Sequence, residues 1–305
     1  MGAITGLRAL ELGVSSLELS TRFYVDVWGL NVVSEHDGLR YLRAAGPAHH
    51  ALALREVATP RFIAAELAAA DATAVERLHA KALTSGLKVL FPPRAIANDA
   101  GGGFGFALQS PDGLELKVTS GSREHGDVVN DRSRPMGITH YVVNSPNRDR
   151  ESAFYQDLFG FRLSDATHPM HFLRCSAYHH TVAVASGRSL SLNHVAFEMQ
   201  DFDGLMRGCG RVVDVTPIEW GVGRHGPGDN IFAYFLDPDG FAIEYTTGMQ
   251  RIDESEHVPG TPQYWSEFPK RPCRWGLARK RSERLNRSMA GLPGGDAQDS
   301  RAPRA

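Results

Sequence analysis

Three segments in the C-terminal half each carry one metal-capable side chain inside an apolar, strand-like run: His140 in GITHYVV, His194 in LNHVAFEM and Glu244 in FAIEYTT. A buried polar group without a partner costs about 1–3 kcal/mol, and an unpaired carboxylate more. Any one of the three alone reads more readily as a hydrogen-bonded core residue or a solvent-facing strand residue. Together, one per strand, they are costly unless they share something that satisfies all of them, and a divalent ion does so. Two imidazoles and one carboxylate on one face leave three positions open at an octahedral ion, the arrangement of non-haem Fe(II) oxygenases; Mn(II) suits the same donors.

The elements that must position these groups repeat along the chain. RFYVDVWGL (22–30) and AFYQDLFGF (153–161) share an aromatic pair, an aspartate and a glycine at an offset of 131 residues. SPDGLELKV (110–118) and DPDGFAIEY (237–245) echo each other at an offset of 127. Two echoes in the same order imply a duplicated domain of about 125 residues per copy. The expected division is residues 1–122, a polar linker over 123–136, a second copy over 137–250, and an extension over 251–305 of helix followed by disorder. Each copy reads as two units of strand, helix and several strands, an α+β chain with mixed sheets. Local signals include a capping box at Ser15 and Glu18, a helical stripe of Leu19, Phe23 and Val27, and a helix stop at Gly86. A short, glycine-weakened helix is expected near 202–207.

The copies differ at the chemistry. Aligning the aromatic pairs puts Ala9 where the second copy has His140, and aligning the turns puts Lys117 where it has Glu244. A lysine is no ligand beside a dication at neutral pH, so the site belongs to the second copy alone.

The run GRHGPGDNIFAYFLDPDGFAIEY (223–245) predicts a hairpin. Pro238 and Gly240 suit a type I turn with a glycine bulge, which sets Tyr234 nearly opposite Glu244. The period of two then places Ala242 and Glu244 on one face and Phe241 and Ile243 on the other.

Composition bounds the partners. The chain is 42% hydrophobic and 22% charged with a formal net charge of −2, which gives no reason to expect nucleic acid or a membrane. No apolar run is long enough to span a bilayer, and the opening Met-Gly has Gly6 where myristoylation wants Ser or Thr. Three widely spaced cysteines, Cys175, Cys209 and Cys273, argue for reduced thiols and a cytoplasmic setting.

Both halves resemble the vicinal oxygen chelate fold, and the second half, from His140 onward and most closely over 223–245, resembles the type I extradiol catechol dioxygenases. The resemblance implies Fe(II) on His140, His194 and Glu244, with a metal-free N-terminal domain. It implies an acid/base histidine in YHHTVAV, His180 with His179 as the alternative, and a substrate-side pair, His225 and Tyr234. The implied reaction opens a catechol-type ring with O2, beside the two hydroxyls, to a hydroxymuconic semialdehyde-type product. Competing readings are an isomerase or other oxygenase of the same superfamily, and a metal-free binding protein. Trp220, Phe232 and Met170 are candidate pocket walls or core. Lys270, Arg271 and Arg274 could seat a substrate carboxylate, although a solvated basic tail fits the composition better. His36, His49, His50, His79, His125, His168, His171 and His257 match no functional position. Open mixed sheets leave edges that a second subunit usually covers, so a homo-oligomer is expected.

Overall fold

Short apolar strands with glycine turns, interrupted every few strands by one helix, build two sheets of eight strands. The structure is a computed structural model that describes residues 2–127, 129–267, 273–278 and 280–291. The first sheet contains β1 (Ile4–Val14), β2 (Asn31–His36), β3 (Leu39–Arg43), β4 (Leu52–Glu56), β5 (Arg61–Ala69), β6 (Val89–Ala95), β7 (Phe104–Gln109) and β8 (Glu115–Ser120). Its spatial order is β2-β3-β4-β1-β5-β8-β7-β6. The second contains β9 (Pro135–Ser145), β10 (Arg162–Ala166), β11 (Met170–Arg174), β12 (Val182–Ser186), β13 (Ser191–Met199), β14 (Trp220–Arg224), β15 (Ile231–Leu236) and β16 (Ala242–Thr247). It repeats the same order, β10-β11-β12-β9-β13-β16-β15-β14. Each sheet is two βαβββ modules joined at antiparallel central strands, β1 with β5 and β9 with β13. The connecting helices are α1 (Leu17–Arg22, continued by a π-helical turn over Phe23–Val27), α2 (Ala72–Thr84), α3 (Arg148–Phe159) and α4 (Phe202–Val213).

Alternation gives each sheet two different faces. One face, with Tyr141, Val143, Ala233, Phe235 and Ile243, joins the helices and the first sheet in a single core that spans both copies. The other lines a cup, where Val142, Phe172, Ala183 and Ala185 pack together, as do Trp220, Phe232, Tyr234 and Ala242.

The copies dock reciprocally. The turn after β15 places Asp237 against the N-terminal helix, where it accepts a hydrogen bond from Tyr24 Oη at 2.8 Å. Asp239 there accepts from the Ser15 amide and the Ser20 hydroxyl. The corresponding turn of the first copy docks on α3, with Asp112 bound to Ser145, Arg150 and Glu151. Trp28 stacks on Tyr245 with centroids 3.8 Å apart and receives a hydrogen bond from its hydroxyl on the Trp28 carbonyl.

Three local expectations change. The cap of α1 is Ser16, not Ser15, its hydroxyl accepting from the Leu19 amide. Leu19 is exposed, because the π-helical turn that follows rotates the buried stripe onto Phe23, Tyr24 and Trp28. The helix near 202–207 runs on to Val213; Gly204 and Gly208 serve packing, since a Cβ at Gly204 would sit 2.4 Å from the Arg132 carbonyl oxygen and one at Gly208 2.9 Å from Met199 Cε. Packing here overrides a low helix propensity.

The C-terminal extension carries α5 (Pro262–Glu267) and α6 (Glu283–Met289). Over its described residues 273–278 and 280–291 it is not a solvated tail: Cys273, Ala278, Leu285 and Met289 are buried with Trp220 and Phe232 of the cup. Arg284 pairs with Glu219, and the Arg281 guanidinium lies 5.3 Å from the Trp220 ring centre. Charge alone did not reveal this, because the anchors are four apolar residues scattered among the basic ones.

Candidate metal centre

The second cup brings His140 from β9, His194 from β13 and Glu244 from β16 together, with one potential ligand atom of each within 4.8 Å of the others. All three are buried. The central ladders set this: His140 pairs across from Ala196, and Ala196 lies beside Glu244, so adjacent strands deliver the groups at one level.

The second nitrogen of each imidazole is held from outside. His194 Nδ1 lies 2.9 Å from Asn193 Oδ1, and His140 Nδ1 lies 2.8 Å from Thr139 Oγ1. Successive residues of a strand normally point to opposite faces. Here both neighbours sit at register shifts of the β9–β13 ladder, between Leu192 and His194 and between Ala196 and Phe197, and these bulges bring adjacent side chains together. Asn193 Nδ2 donates to the carbonyl oxygen of Met289 in α6 and to Asn144 Oδ1, which fixes its amide orientation. Asn193 Oδ1 is therefore an acceptor, His194 Nδ1 carries the proton, and Nε2 presents a lone pair. Burial keeps this imidazole neutral, lowering its pKa to about 4.

That lone pair faces Glu244 Oε2 at 3.3 Å, and His140 Nε2 faces the same oxygen at 3.5 Å. Glu244 Oε2 is buried without a hydrogen-bond partner, while Oε1 receives Asn230 Nδ2 at 3.3 Å. Electron pairs converging on one point without a proton between them suit a cation, and the donor set fits Fe(II) or Mn(II).

His180 lies beside the cluster, its ring 4.2 Å from that of His140. Its Nδ1 is 3.0 Å from His179 Nδ1, and His179 Nε2 is 2.8 Å from Asp165 Oδ2. A carboxylate only accepts, so His179 carries its proton on Nε2; its bare Nδ1 then accepts from His180 Nδ1 and leaves His180 Nε2 with the free lone pair. Burial and the neighbouring imidazoles push the His180 pKa well below 6.5. Of the two candidates, His180 thus adjoins the cluster and His179 stands behind it.

His225 and Tyr234 meet on the other side, with His225 Nε2 3.1 Å from Tyr234 Oη. The His225 ring stacks on Phe232 at 4.0 Å, and Tyr234 on Trp220 at 5.2 Å. Tyr234 lies directly opposite Glu244 in the hairpin. Burial, then the Glu244 carboxylate, raises its pKa well above 10 and keeps the phenol protonated. Trp220 and Phe232 are buried behind this pair, and Met170 packs on Val142, Phe172, Ala183 and Ala185.

Arg274 is bound to Asp229 and is no open carboxylate seat; Lys270 and Arg271 lie outside the described residues. His49 and His50 do have a counterpart after all: their Nδ1 atoms lie 3.1 Å apart, as those of His179 and His180 do, at the equivalent place in the first cup. That cup has Ala9, Ala64 and Lys117 where the second has His140, His194 and Glu244, the paired strands keeping the same register. Sequence reasoning missed Asn193, Thr139, Asp165 and Asn230, which become visible only through bulges and cross-strand contacts.

Four βαβββ modules in two cups, with a His-His-Glu cluster in the second alone among the described residues, define a tandem vicinal-oxygen-chelate protein with a candidate metal centre. Residues 137–245 match the model of the glyoxalase/bleomycin resistance protein/dioxygenase superfamily. A solved structure described as a Mn(II)-bound glyoxalase from Novosphingobium aromaticivorans is 34% identical, covers 93% of this chain and 94% of its own, and superposes with a TM-score of 0.84. The chain belongs to this superfamily. A curated relative, biphenyl-2,3-diol 1,2-dioxygenase of Metapseudomonas furukawaii, is 28% identical over 64% of this chain and 71% of its own length. Homoprotocatechuate 2,3-dioxygenase from B. fuscum, in the structure of a variant, shares the fold at a TM-score of 0.77 with 23% identity, covering 85% of this chain and 76% of its own. Among the described residues, no helix is long and apolar enough to cross a membrane.

Proposed function

We propose that the protein is an extradiol ring-cleaving dioxygenase that uses Fe(II) and O2 to open a catechol-type diol to a hydroxymuconic semialdehyde-type product in aromatic degradation. The carrying observation is the buried cluster of His140, His194 and Glu244, with an unpartnered carboxylate oxygen at its centre and a neutral imidazole and a protonated phenol on its flanks. The names of the curated relatives support the same reaction class.

In this reading His140, His194 and Glu244 hold the ion, which when bound supplies Lewis acidity toward the diol hydroxyls and the redox chemistry that O2 requires. His180 Nε2 accepts a proton from a diol hydroxyl and returns it later, its tautomer set by His179 and Asp165. Tyr234 Oη donates a hydrogen bond to charge developing on the substrate oxygens, and His225 orients that phenol and shares the task. Phe172, Trp220 and Phe232 present apolar surface around these groups, which strengthens each hydrogen bond. The proposed division assigns catalysis to residues 137–250, with a metal-free domain over 1–122, a linker over 123–136 and an extension from 251. A homo-oligomer in the cytoplasm completes the proposal.

Anaerobic purification, metal quantitation and oxygen uptake against a panel of catechols test it. The expected result is about one Fe per chain, O2 consumption and a yellow ring-fission product. Bound metal with no O2 consumption on any catechol would reject the dioxygenase reading. A second reading, an isomerase using Mn(II), is favoured by the description of the Novosphingobium structure. It predicts turnover of an α-ketoaldehyde–thiol adduct without O2 uptake.

A further inference from the structure

The cup of the first copy, which has lost all three ligand positions, is not filled in. It holds an open cavity of about 390 Å3 lined by Glu11, Glu66, Lys117 and Thr119 and by Phe91, Arg94, Ile96 and Ala97, which we place at its mouth. Lys117 occupies the place of Glu244, its ammonium 2.6 Å from Glu11 Oε2. Burial opposes that charge and the Glu11 carboxylate more than offsets it, so the lysine stays protonated.

The two carboxylates on the floor of this cavity face cations, a hydroxyl and an imidazole. Glu11 takes Lys117 on one oxygen and Arg55 Nε at 3.1 Å on the other. Glu66 Oε1 takes the Thr119 hydroxyl at 2.5 Å with Arg8 Nε 3.5 Å away, and Glu66 Oε2 lies 3.8 Å from His50 Nε2. The donors are in surplus. Lys117 has two further N–H groups with only Glu115, at 4.0 Å, nearby. The Tyr41 hydroxyl makes no hydrogen bond among the described residues, nor does the Arg94 guanidinium, which lies 4.1 Å from the Phe91 ring centre and forms no ion pair among those residues. The buried Tyr41 hydroxyl and the half-buried Lys117 ammonium call for an acceptor-rich guest, and the exposed Arg94 adds a cation at the mouth. The flat walls of Tyr41 and Phe91 add a preference for a planar apolar body.

We infer that the first cup is a second small-molecule site, separate from the metal centre, that takes a single-ring aromatic carboxylate. Arg94 holds the carboxylate at the mouth, the ring lies against Phe91 and Ile96, and Tyr41 and Lys117 donate to its inner substituent.

Salicylate is the probe, titrated calorimetrically into protein stripped of metal, so that the outcome is independent of the reaction at the other cup. The expected result is one saturable site per chain, with affinity about tenfold weaker in Arg94→Ala, the loss expected for one charge-assisted hydrogen bond. Ala97→Trp, at an exposed loop position where the larger side chain closes the mouth without entering the core, abolishes binding. Benzamide, uncharged, binds at least about tenfold more weakly than salicylate. Lack of saturation overturns the inference, and so does salicylate binding that is indifferent to both Arg94→Ala and Ala97→Trp while their melting temperatures match the parent.

Discussion

His179 and His180 are adjacent in sequence yet hold different positions relative to the cluster. Asp165 binds only one of them, and that single acceptor orders both rings, because each imidazole must pass its proton toward the carboxylate. The free lone pair is thereby left on His180, the ring beside His140. Replacing His180 by Phe keeps a flat ring against Phe172 and removes the proton acceptor. Iron loading of His180→Phe should equal that of the parent, while kcat falls about 100- to 10,000-fold, the usual range for a lost acid/base group. Elemental analysis paired with the oxygen electrode separates the two. Reduced loading with undiminished turnover per bound iron would move the proton-transfer role elsewhere.

At the scale of elements, the two bulges of the β9–β13 ladder do what regular strands cannot. They put Thr139 and Asn193 on the same side as the imidazoles that follow them, so each ring is gripped by its own neighbour. Asn193 also ties β13 to the Met289 carbonyl at the end of α6, which makes the C-terminal extension part of the mounting of His194. Asn193 is thus a positioning residue. Asn193→Leu should weaken Fe(II) or Mn(II) binding about 10- to 100-fold in a chelator competition. Asn193→Asp, which keeps the acceptor for His194 Nδ1 but not the donor to Met289, should recover most of that loss. If both variants bind metal as the parent does, the bulge serves only the backbone.

For the whole molecule, the reciprocal docking of the two copies carries a pH dependence. Asp237 is buried at the junction, and burial followed by the nearby Asp239 carboxylate raises its pKa to about 7. The folded state therefore holds this proton more tightly than the unfolded chain, whose Asp pKa is about 3.9. The resulting stabilisation is complete below about pH 4 and is lost as pH rises through about 7, a swing of a few kcal/mol. In Asp237→Asn the amide oxygen still accepts from the Asp239 and Phe241 amides, and the NH2 can donate to Tyr24 Oη. Melting temperature should fall with pH between about 5 and 8 in the parent and fall less steeply in the variant. Parallel curves would show that Asp237 ionises freely and that its burial costs nothing.

The duplication, the four strand–helix modules and the facing of Tyr234 and Glu244 across their turn follow from residues close in sequence. They depend on periods of two and on glycine or proline at particular turn positions, both local properties. His140, His194 and Glu244 stand out in sequence for a related reason, since a polar residue inside an apolar run marks a strand that must bury it. Which neighbours hold those rings was decided elsewhere. Asn193 and Thr139 obey strand alternation on paper and escape it only because each is the extra residue of a bulge in its own strand. Asp165 reaches His179 from another strand, and Met289 reaches Asn193 from 96 residues away. The first cup shows the same division. Lys117 in place of a carboxylate is visible in the sequence, but whether the first cup became a filled core or a cavity depended on Glu11 pairing with Lys117 and Arg55 and on Glu66 pairing with Thr119, which only packing in three dimensions could settle.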